Sequence, residues 1–294
     1  MSETEAWTIG RLLKWTADFL KQKDSTSPRL DAEVLLATAR NCGRIELYTA
    51  FDEEPPESIR TKFRELVRRR AEGEPVAYLV GHREFYSLSF KVTRDVLIPR
   101  PETELLVVAL IDAAKALSSR KPSLSIADIG TGSGIIAVCA AKNLPTCNVT
   151  AVDISPKALD VARANVEAHG VGDRVELIES DLFAALGDRQ FDLIVSNPPY
   201  VSEPEMAELR AEVANYEPHL ALCGGPTGTE VIQRLVPAAA ERLAPQGSLL
   251  LEVSPMIAQR TLDIIREQGG FETPRTLKDM AGLARVVVAK RQTS

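Results

Sequence analysis

Residues 124–153, LSIADIGTGSGIIAVCAAKNLPTCNVTAVD, decide how the fold of this chain is interpreted. The apolar run LSIADI predicts a strand, glycines follow at positions 130, 132 and 134, and GIIAVCAAKN predicts a helix. NVTAVD then predicts a second strand that ends at Asp153. A strand, a glycine-rich turn, a helix and a second strand make a βαβ unit, so we expect the two strands to be parallel.

Downstream of Asp153 the chain keeps alternating between strand and helix patterns. Such alternation is typical of βαβ units around a twisted parallel sheet. The predicted strands are VELIESD, FDLIVSN and GSLLLEV, the predicted helices are SPKALDVARANVEAHG, TEVIQRLVPAAAERLA and MIAQRTLDIIREQG, and FETPRTL with ARVVVAK is expected to form a closing hairpin.

Upstream, the first 80 residues show a helical pattern. Apolar residues recur at helical spacing from Ile9 to Leu20, and further helices are expected from Ser27, a candidate N-cap before Pro28, and over residues 57–72. Residues 83–98, REFYSLSFKVTRDVLI, predict a β-hairpin, and a helix follows at about 102–116. We expect a helical domain over residues 1–80, a hairpin linker over 81–98 and an α/β domain over 99–294.

The composition is that of a globular protein and limits the possible functions. The 294 residues are 45% hydrophobic and 26% charged, with a formal net charge of −6. An acidic chain argues against a protein that coats nucleic acid. The basic run Arg68, Arg69 and Arg70 is therefore expected on a solvated helix face.

Cysteine and histidine usage and the chain's N-terminal residues give three further expectations. The four cysteines lack paired spacing and only three histidines are present, so we expect free thiols and no metal site. The residues MSETEAW lack a signal-peptide pattern, and no window approaches about 18 uninterrupted apolar residues. We therefore expect a cytoplasmic protein with no membrane partner.

The glycine-rich turn and the acids near it predict an adenosyl cofactor. Residues 130–134 lie between a strand and a helix, where a doubly wound sheet binds its ligand, and glycine lets a ligand approach the backbone closely. Asp153 can accept hydrogen bonds from both hydroxyls of a ribose. Asp181 and Leu182, after the third strand of the domain, suit the amino group and the ring face of an adenine. These features alone do not separate NAD from S-adenosylmethionine.

The predicted strand FDLIVSN continues into Asn197, Pro198, Pro199 and Tyr200, which we call the NPPY corner. Two prolines remove two backbone donors and stiffen the chain, so the corner exposes an amide side chain, bare carbonyls and a ring. A conjugated amino group is planar and a poor nucleophile, because its lone pair is delocalised. The Asn197 side-chain oxygen and the Pro198 carbonyl can accept from its two N–H groups, and Tyr200 can stack on it. The corner therefore predicts methyl transfer to such a nitrogen.

With these residues in place, the chain resembles the PrmC/HemK family, the glutamine N5-methyltransferases of bacterial peptide chain release factors. The resemblance covers nearly the whole chain and is most specific in LIPRPETE (97–104) and SNPPY (196–200). It implies an α/β Rossmann-like class I methyltransferase domain, whose seven-stranded, mostly parallel sheet ends in an antiparallel strand. A β-hairpin would join this domain to an N-terminal helical bundle. The other matching segments are GEPVAYLVGHREFYSLSFKV, DIGTGSGIIAV, AVDISPKALDVARAN and YEPHLALCGG.

The resemblance implies a reaction and a partner. S-adenosylmethionine would be the cofactor, and the substrate would be the side-chain amide of the glutamine in the G-G-Q motif of class I peptide chain release factors. The helical domain would contact the release factor, with residues 68–70 as the place to look. Arg100 and Glu102 would close one side of the pocket without assigned roles, and Leu182 stands where some members have a tryptophan.

The expected site residues form three overlapping groups. Cofactor contacts are expected at Gly130, Thr131, Gly132, Ser133, Gly134, Asp153, Asp181, Leu182 and Asn197. Asn197, Pro198 and Tyr200 are expected to be catalytic, and Asn197, Pro198, Pro199 and Tyr200 are expected to bind the substrate amide. No metal ligand is expected.

Two alternatives remain open from the sequence. An adenine N6-methyltransferase acting on nucleic acid would use the same corner chemistry, but it needs a basic groove and must flip its base out of the duplex. A factor-binding module with a vestigial cofactor pocket is the other, and the glycines, Asp153 and Asn197 argue against it. We expect a monomer with no direct nucleic-acid substrate.

Overall fold

The computed structural model of the protein describes residues 6–118 and 121–292, which form two compact units. The first unit runs to His82 and includes a later segment, Arg210–Tyr216; the second holds Arg83–Leu209 and the chain from Glu217 onward. Residues 1–5, on which the expectation about a signal peptide partly rests, lie outside the described residues. Within the described ranges, no helix combines the length and the apolar character needed to cross a membrane.

Helices and strands follow one another in an order close to the sequence prediction. In the described part of the chain the helices are α1 (Ile9–Lys21), α2 (Pro28–Arg40), α3 (Arg44–Thr49), α4 (Glu57–Ala71), α5 (Val76–Val80), α6 (Thr103–Ser118), α7 (Ile135–Asn143), α8 (Pro156–Ala168), α9 (Glu203–Met206), α10 (Ala211–Ala214), α11 (His219–Leu222), α12 (Glu230–Arg242) and α13 (Ala258–Gln268). The strands are β1 (His82–Phe85), β2 (Leu88–Lys91), β3 (Leu124–Ile129), β4 (Cys147–Asp153), β5 (Val175–Glu179), β6 (Phe191–Ser196), β7 (Val201–Ser202), β8 (Cys223–Gly225), β9 (Leu243–Glu252), β10 (Arg275–Lys278) and β11 (Ala284–Lys290).

The second unit is built on a seven-stranded sheet with the order β10-β11-β9-β6-β3-β4-β5. Neighbouring strands from β9 to β5 are parallel, and β11 is antiparallel to both β9 and β10. The expected fold class is therefore confirmed, including the antiparallel last strand and the closing hairpin. The sheet is central: strand β6 is buried along its whole length, as expected for strands covered by helices on both faces.

The register of the sheet aligns the ends of four parallel strands. Ile129 of β3 pairs with Val152 of β4 and with Ser196 of β6, and Ser196 pairs in turn with Leu251 of β9. The residue that follows this rung on each strand therefore lies at one edge of the sheet. Those four residues are Gly130, Asp153, Asn197 and Glu252.

The hairpin of β1 and β2 is shorter than predicted. Its strands end at Lys91, and Val96 and Ile98, which were expected in a strand, lie in an irregular segment although both are buried. The prediction was wrong there because the apolar character of these two residues reflects burial and not strand pairing. Phe90 packs into the core on one face of the sheet, and the Lys91 backbone N–H donates to Asn165 of α8 at 2.7 Å.

The first unit is a helical bundle with its own core. Ile9 and Leu13 of α1, Leu35 and Leu36 of α2 and Phe63 of α4 are buried in it. Helix α2 begins with Pro28 as predicted, but the Ser27 side chain makes no capping hydrogen bond. Ser27 is the N-cap residue of this helix, as predicted from the sequence.

Arg70 corrects the expectation that residues 68–70 form a solvated helix face. Its side chain is buried, and its Nε donates to Asp31 at 2.8 Å while Nη1 donates to Glu212 of the returning segment at 3.0 Å. Arg68 does lie on the surface, where it pairs with Glu65 of its own helix and with Glu72, the residue that follows the helix. Sequence alone could not show this difference, because Glu212 is 142 positions from Arg70.

Arg70→Ala should destabilise the first unit by about 3 kcal/mol, because breaking a buried ion pair leaves carboxylates without their partner. Urea unfolding followed by tryptophan fluorescence measures this unit by itself, since Trp7 and Trp15 are the chain's two tryptophans and both belong to it. Arg68→Ala is the matched control and should change stability by less than about 0.5 kcal/mol. Equal effects of the two substitutions would contradict the assigned difference in burial.

Candidate active site

A cavity lies at the carboxyl edge of the sheet in the second unit, where β3, β4 and β6 end. Its lining includes most of the residues predicted from the sequence, which are Gly130, Thr131, Gly132, Ser133, Asp153, Asp181, Leu182, Asn197, Pro198 and Pro199. Gly134 and Tyr200 were predicted with them but do not line the cavity. One compact site thus collects residues from the ends of four strands, β3, β4, β5 and β6.

The glycine-rich loop is held by hydrogen bonds to the neighbouring strand β4. The N–H groups of Gly130 and Thr131 both donate to the Val152 carbonyl at 2.9 Å, and the Gly132 N–H donates to Asp153 Oδ2 at 2.8 Å. The Asp153 Oδ1 accepts from the Ser155 N–H at 2.9 Å, at the start of α8. Asp153 therefore ties the loop to the next helix, and burial raises its pKa.

The glycines of the loop differ in what surrounds them. Gly134 has φ +81°, and a Cβ placed on it would lie 3.2 Å from the Ala162 Cβ of α8, so its role is close packing between helices. Gly132 has φ +56°, and a Cβ there would meet nothing within 4 Å. Because Gly132 also lines the cavity, that open space is room in which a ligand can approach the backbone.

Asp128, which the sequence reading did not single out, anchors the loop from below. This fully buried carboxylate on β3 accepts from the Thr131 hydroxyl at 2.6 Å and from the Ala137 N–H of α7 at 3.2 Å, both through Oδ2. Burial, reinforced by the nearby Asp153 charge, raises the pKa of Asp128 to about 7. An acid in the residues just before a glycine-rich turn was the sequence signal that could have pointed to it.

The segment after β5 forms another wall of the cavity. Leu182 has φ +51°, a left-handed conformation that is unusual for a non-glycine residue and is often found where a chain meets a ligand. The Asp181 carboxylate receives a 2.6 Å hydrogen bond from Arg234 of α12. The Ser180 hydroxyl accepts from the Ala185 N–H, so Ser180 supplies the capping bond of this turn.

The NPPY corner is fixed to the sheet and to the start of α6. The Ser196 hydroxyl donates to the Ile129 carbonyl at 2.6 Å, which locks the end of β6 to the end of β3. The Asn197 Nδ2 donates to the hydroxyl of Thr103, a buried residue, at 3.4 Å. The Tyr200 hydroxyl lies 3.5 Å from Glu252 Oε1 at the end of β9.

Arg100 and Glu102 belong to the irregular segment before α6. The Arg100 guanidinium donates to Glu217 at 2.5 Å, and the same carboxylate accepts from the Ile98 N–H at 3.2 Å. Glu217 thus holds this wall in place while Arg100 lines the cavity. Glu102 lies 3.9 Å from Arg285 of β11 and does not line the cavity.

Comparison with known proteins places the chain in a family. Residues 11–81 match the family model of the PrmC N-terminal domain, and residues 103–214 match that of the methyltransferase small domain. A release factor glutamine methyltransferase of Rhodopirellula baltica is 54% identical over 98% of this chain and 98% of its own length. One of Geobacter sulfurreducens is 43% identical over 96% of each chain.

The chain belongs to the release factor glutamine methyltransferase family. The resemblance stated from the sequence is confirmed, and the α/β domain is that of a methyltransferase.

Solved structures of lower identity agree on the fold alone. The hMettl16 catalytic domain is 18% identical, with a TM-score of 0.55 over 78% of this chain and 82% of that one. A T. thermophilus 16S rRNA methyltransferase in complex with AdoMet and guanosine is 21% identical, with a TM-score of 0.51 over 72% of this chain and 50% of that one.

Four polar residues in or beside the candidate site were missed or left without a role: Thr103, Asp128, Glu217 and Glu252. Thr103 lies inside LIPRPETE, which was quoted only for its resemblance. Glu252 follows three leucines in the predicted strand GSLLLEV, and a single acid at the end of an apolar strand was an available signal. Thr103 and Glu252 contact the NPPY corner from 94 and 52 positions away, so no local spacing joins them to it.

Asp128→Asn should change the pH dependence of folding. The folded chain keeps the Asp128 proton up to about pH 7, whereas the unfolded chain releases it near its ordinary pKa of 3.8. Stability of the unsubstituted protein therefore falls as pH rises through this window, by at most about 1.4 kcal/mol per pH unit from this group. Urea unfolding at pH 5 and pH 8 should show the variant gaining stability relative to the parent as pH rises.

Asp188→Asn, at an exposed acid, is the control and should follow the parent at both pH values. If the difference between Asp128→Asn and the parent stayed constant from pH 5 to pH 8, Asp128 would not carry a raised pKa.

Proposed function

We propose that this protein methylates the side-chain amide nitrogen of the glutamine in the G-G-Q motif of class I peptide chain release factors, using S-adenosylmethionine. The observation that carries the proposal is the corner of hydrogen-bond acceptors, Asn197 and Pro198, at one edge with the open glycine loop. The relatives named release factor glutamine methyltransferases support the same substrate.

The NPPY corner presents hydrogen-bond acceptors and therefore suits an NH₂ group, which donates hydrogen bonds. Pro198 and Pro199 have no N–H, so the chain presents carbonyl oxygens there without competing donors. The Asn197 Nδ2 donates to Thr103, which leaves its Oδ1 to accept from a substrate. A primary amide nitrogen carries two N–H groups, one for Asn197 Oδ1 and one for the Pro198 carbonyl.

The residues present fit an adenosyl cofactor. Gly132 leaves open space next to its backbone, which a side chain at that position would occupy. Each carboxylate oxygen of Asp153 accepts one hydrogen bond from a backbone N–H and keeps a further lone pair that can accept from a ribose hydroxyl. Leu182 gives apolar cover for an adenine, and Asp181 can accept from its amino group. S-adenosylmethionine would supply an electrophilic methyl group on a positively charged sulfur. Thr131 and Ser133 complete the loop that would hold it.

The protein's own part in the reaction is to position and to stabilise charge. Asn197 and Pro198 fix the plane of the glutamine amide, so that its nitrogen faces the glycine loop. As the nitrogen becomes positively charged, the two oxygens that accept its N–H groups stabilise that charge, and one proton then leaves to water. Tyr200 is a proposed stacking partner, held through its hydroxyl toward Glu252.

The other expectations stay proposals of the same kind. We propose that the enzyme works as a cytoplasmic monomer, that its helical unit contacts the release factor, and that nucleic acid is not a substrate. Of the three arginines expected at this contact, Arg68 is the most exposed, because Arg70 is buried and Arg69 pairs with Glu74.

Incubation of the protein with a purified class I release factor and S-adenosylmethionine tests this function. Mass spectrometry should locate one added methyl group on the glutamine of the G-G-Q motif. A release factor in which that glutamine is replaced by alanine should stay unmodified, and so should duplex and single-stranded DNA and RNA. Methylation of adenine in any of these nucleic acids, with no modified glutamine, would favour the alternative function.

Asn197→Ala should lower the rate of methyl transfer by about 10²–10³, the range for removing one positioned polar group from a shielded site. Its thermal unfolding should stay close to that of the parent, because Asn197 is only half-buried. Asn148→Ala, at an exposed asparagine of β4 away from the cavity, is the matched control and should keep full activity. Near-normal methylation by Asn197→Ala would remove Asn197 from the proposed role.

A further inference from the structure

Asn165 of helix α8 is a buried polar side chain that the proposed reaction does not use. It is 1% exposed and does not line the cavity. Its Oδ1 accepts from the Lys91 N–H at 2.7 Å, and its Nδ2 donates to the Lys91 carbonyl at 3.0 Å and to the Ser133 carbonyl at 2.8 Å. Both protons of the NH₂ group are therefore used, and the reverse orientation would set the amide oxygen against two carbonyls.

The bond from Asn165 to Ser133 holds the glycine loop where helix α7 begins. If the helix began one turn earlier, the Ala137 N–H would donate to the Ser133 carbonyl. Here the Ala137 N–H donates to Asp128 Oδ2, and Asn165 takes the Ser133 carbonyl, so two side chains replace one helical bond. The loop therefore leaves the helix in a conformation that depends on both side chains.

The two bonds from Asn165 to Lys91 hold the start of a second wall of the cavity. Lys91 ends strand β2, and a few residues later the chain lines the cavity over residues 95–97. One amide thus joins the backbone of the glycine loop to the backbone that leads into this wall.

We propose that Asn165 is a positioning residue for cofactor binding, because its amide fixes the glycine loop relative to the wall over residues 95–97. This inference rests on the proposed function in one respect, namely that the cavity holds an adenosyl cofactor. Without the amide, two carbonyls and one N–H would lose their partner while buried, which is costly. The loop would then take more than one arrangement, and part of the binding energy would be spent on ordering it.

Calorimetric titration of the full chain with S-adenosylhomocysteine tests the proposal. Asn165→Ala should raise the Kd about 10-fold, because the Ser133 carbonyl loses its donor and the loop its fixed position. Equal Kd values for Asn165→Ala and the parent would overturn the proposal. The titration needs no release factor, so a failure of glutamine methylation leaves its outcome unaffected.

His169→Ala is the matched control in these titrations. His169 follows the last residue of α8, and its Nε2 lies 2.9 Å from the Ser89 carbonyl oxygen of the same hairpin. The substitution weakens the attachment of the hairpin but leaves the three bonds of Asn165 in place. It should change the Kd less than about twofold. A loss of affinity as large as that of Asn165→Ala would contradict the assignment to Asn165.

Steady-state kinetics with a release factor separate positioning from a loss of folded enzyme. In Asn165→Ala the KM for S-adenosylmethionine should rise together with the Kd. The kcat at saturating cofactor should change little, because the bonds that fix the NPPY corner to Ile129 and Thr103 remain. A lower kcat at an unchanged KM would mean only that less enzyme is folded, and would contradict the positioning role.

The parent protein supplies a measurement that holds even where Asn165→Ala does not fold. Lys91 does not line the cavity, so a ligand there reaches its N–H through Asn165. Binding of S-adenosylhomocysteine should therefore slow hydrogen exchange at the Lys91 N–H, because a loop held by the ligand also holds the amide that accepts from it. A Lys91 exchange rate that does not respond to the ligand would overturn the proposal.

Hydrogen exchange of the ligand-free protein distinguishes failure of this inference from failure of the proposed function. The Gly132 N–H donates to Asp153 and the Gly134 N–H to the Thr131 carbonyl, so both report on the loop. Both should exchange faster in Asn165→Ala than in the parent, and at the parent's rate in His169→Ala. Unchanged exchange in Asn165→Ala would contradict the inference even if release factor is methylated. Faster exchange confined to the loop would support it even if the methyl acceptor proves to be another molecule.

Discussion

The hydrogen-bonded register of four parallel strands is the constraint on which the site depends. Strands β4, β3, β6 and β9 meet at one rung, through the pairs of Ile129 with Val152 and Ser196 and of Ser196 with Leu251. A slip of one residue on any strand would turn its following side chain to the other face. The strands are buried on both faces, so packing in the hydrophobic core fixes this register. The polar residues at the strand ends are therefore not needed to fix it.

Two buried acids each lie beside a hydroxyl from a segment of the candidate site. Asp128 on β3 receives the hydroxyl of Thr131 from the glycine loop, and Glu252 on β9 lies 3.5 Å through Oε1 from the Tyr200 hydroxyl of the NPPY corner. In both cases a hydroxyl side chain joins a carboxylate that is costly to bury to a segment of the candidate site. Burial raises the pKa of both acids to about 7, so stability is given up near neutral pH at the points where the site is positioned.

The sequence predicted the α/β unit well because its periodicity reflects burial on a regular sheet. Strand β3, helix α7 and strand β4 lie within one or two residues of their predicted bounds. The NPPY corner and the glycine loop line one cavity, apart from Tyr200 and Gly134. Predictions failed where burial occurs without regular structure, as at Val96 and Ile98. They also failed where a side chain's environment is set by a distant residue.

Arg70 shows this second kind of failure, since its partner Glu212 returns from far along the chain. Thr103 and Glu252 show it in the site, where three-dimensional packing alone brings them to the NPPY corner. The short helices α3 and α5, of 6 and 5 residues, are too brief to give a periodic signal. The sequence indicated which residues are candidates to carry the chemistry, whereas the residues that contact them from other parts of the chain became visible only in the fold.

A crystal structure of the protein with S-adenosylhomocysteine and a peptide that contains the G-G-Q motif would test the central claim most directly. The glutamine side-chain nitrogen should lie at hydrogen-bond distance, about 2.7–3.2 Å, from both Asn197 Oδ1 and the Pro198 carbonyl oxygen. A glutamine whose nitrogen contacts neither oxygen, or an Asn197 that presents its NH₂ group to the substrate, would contradict the account.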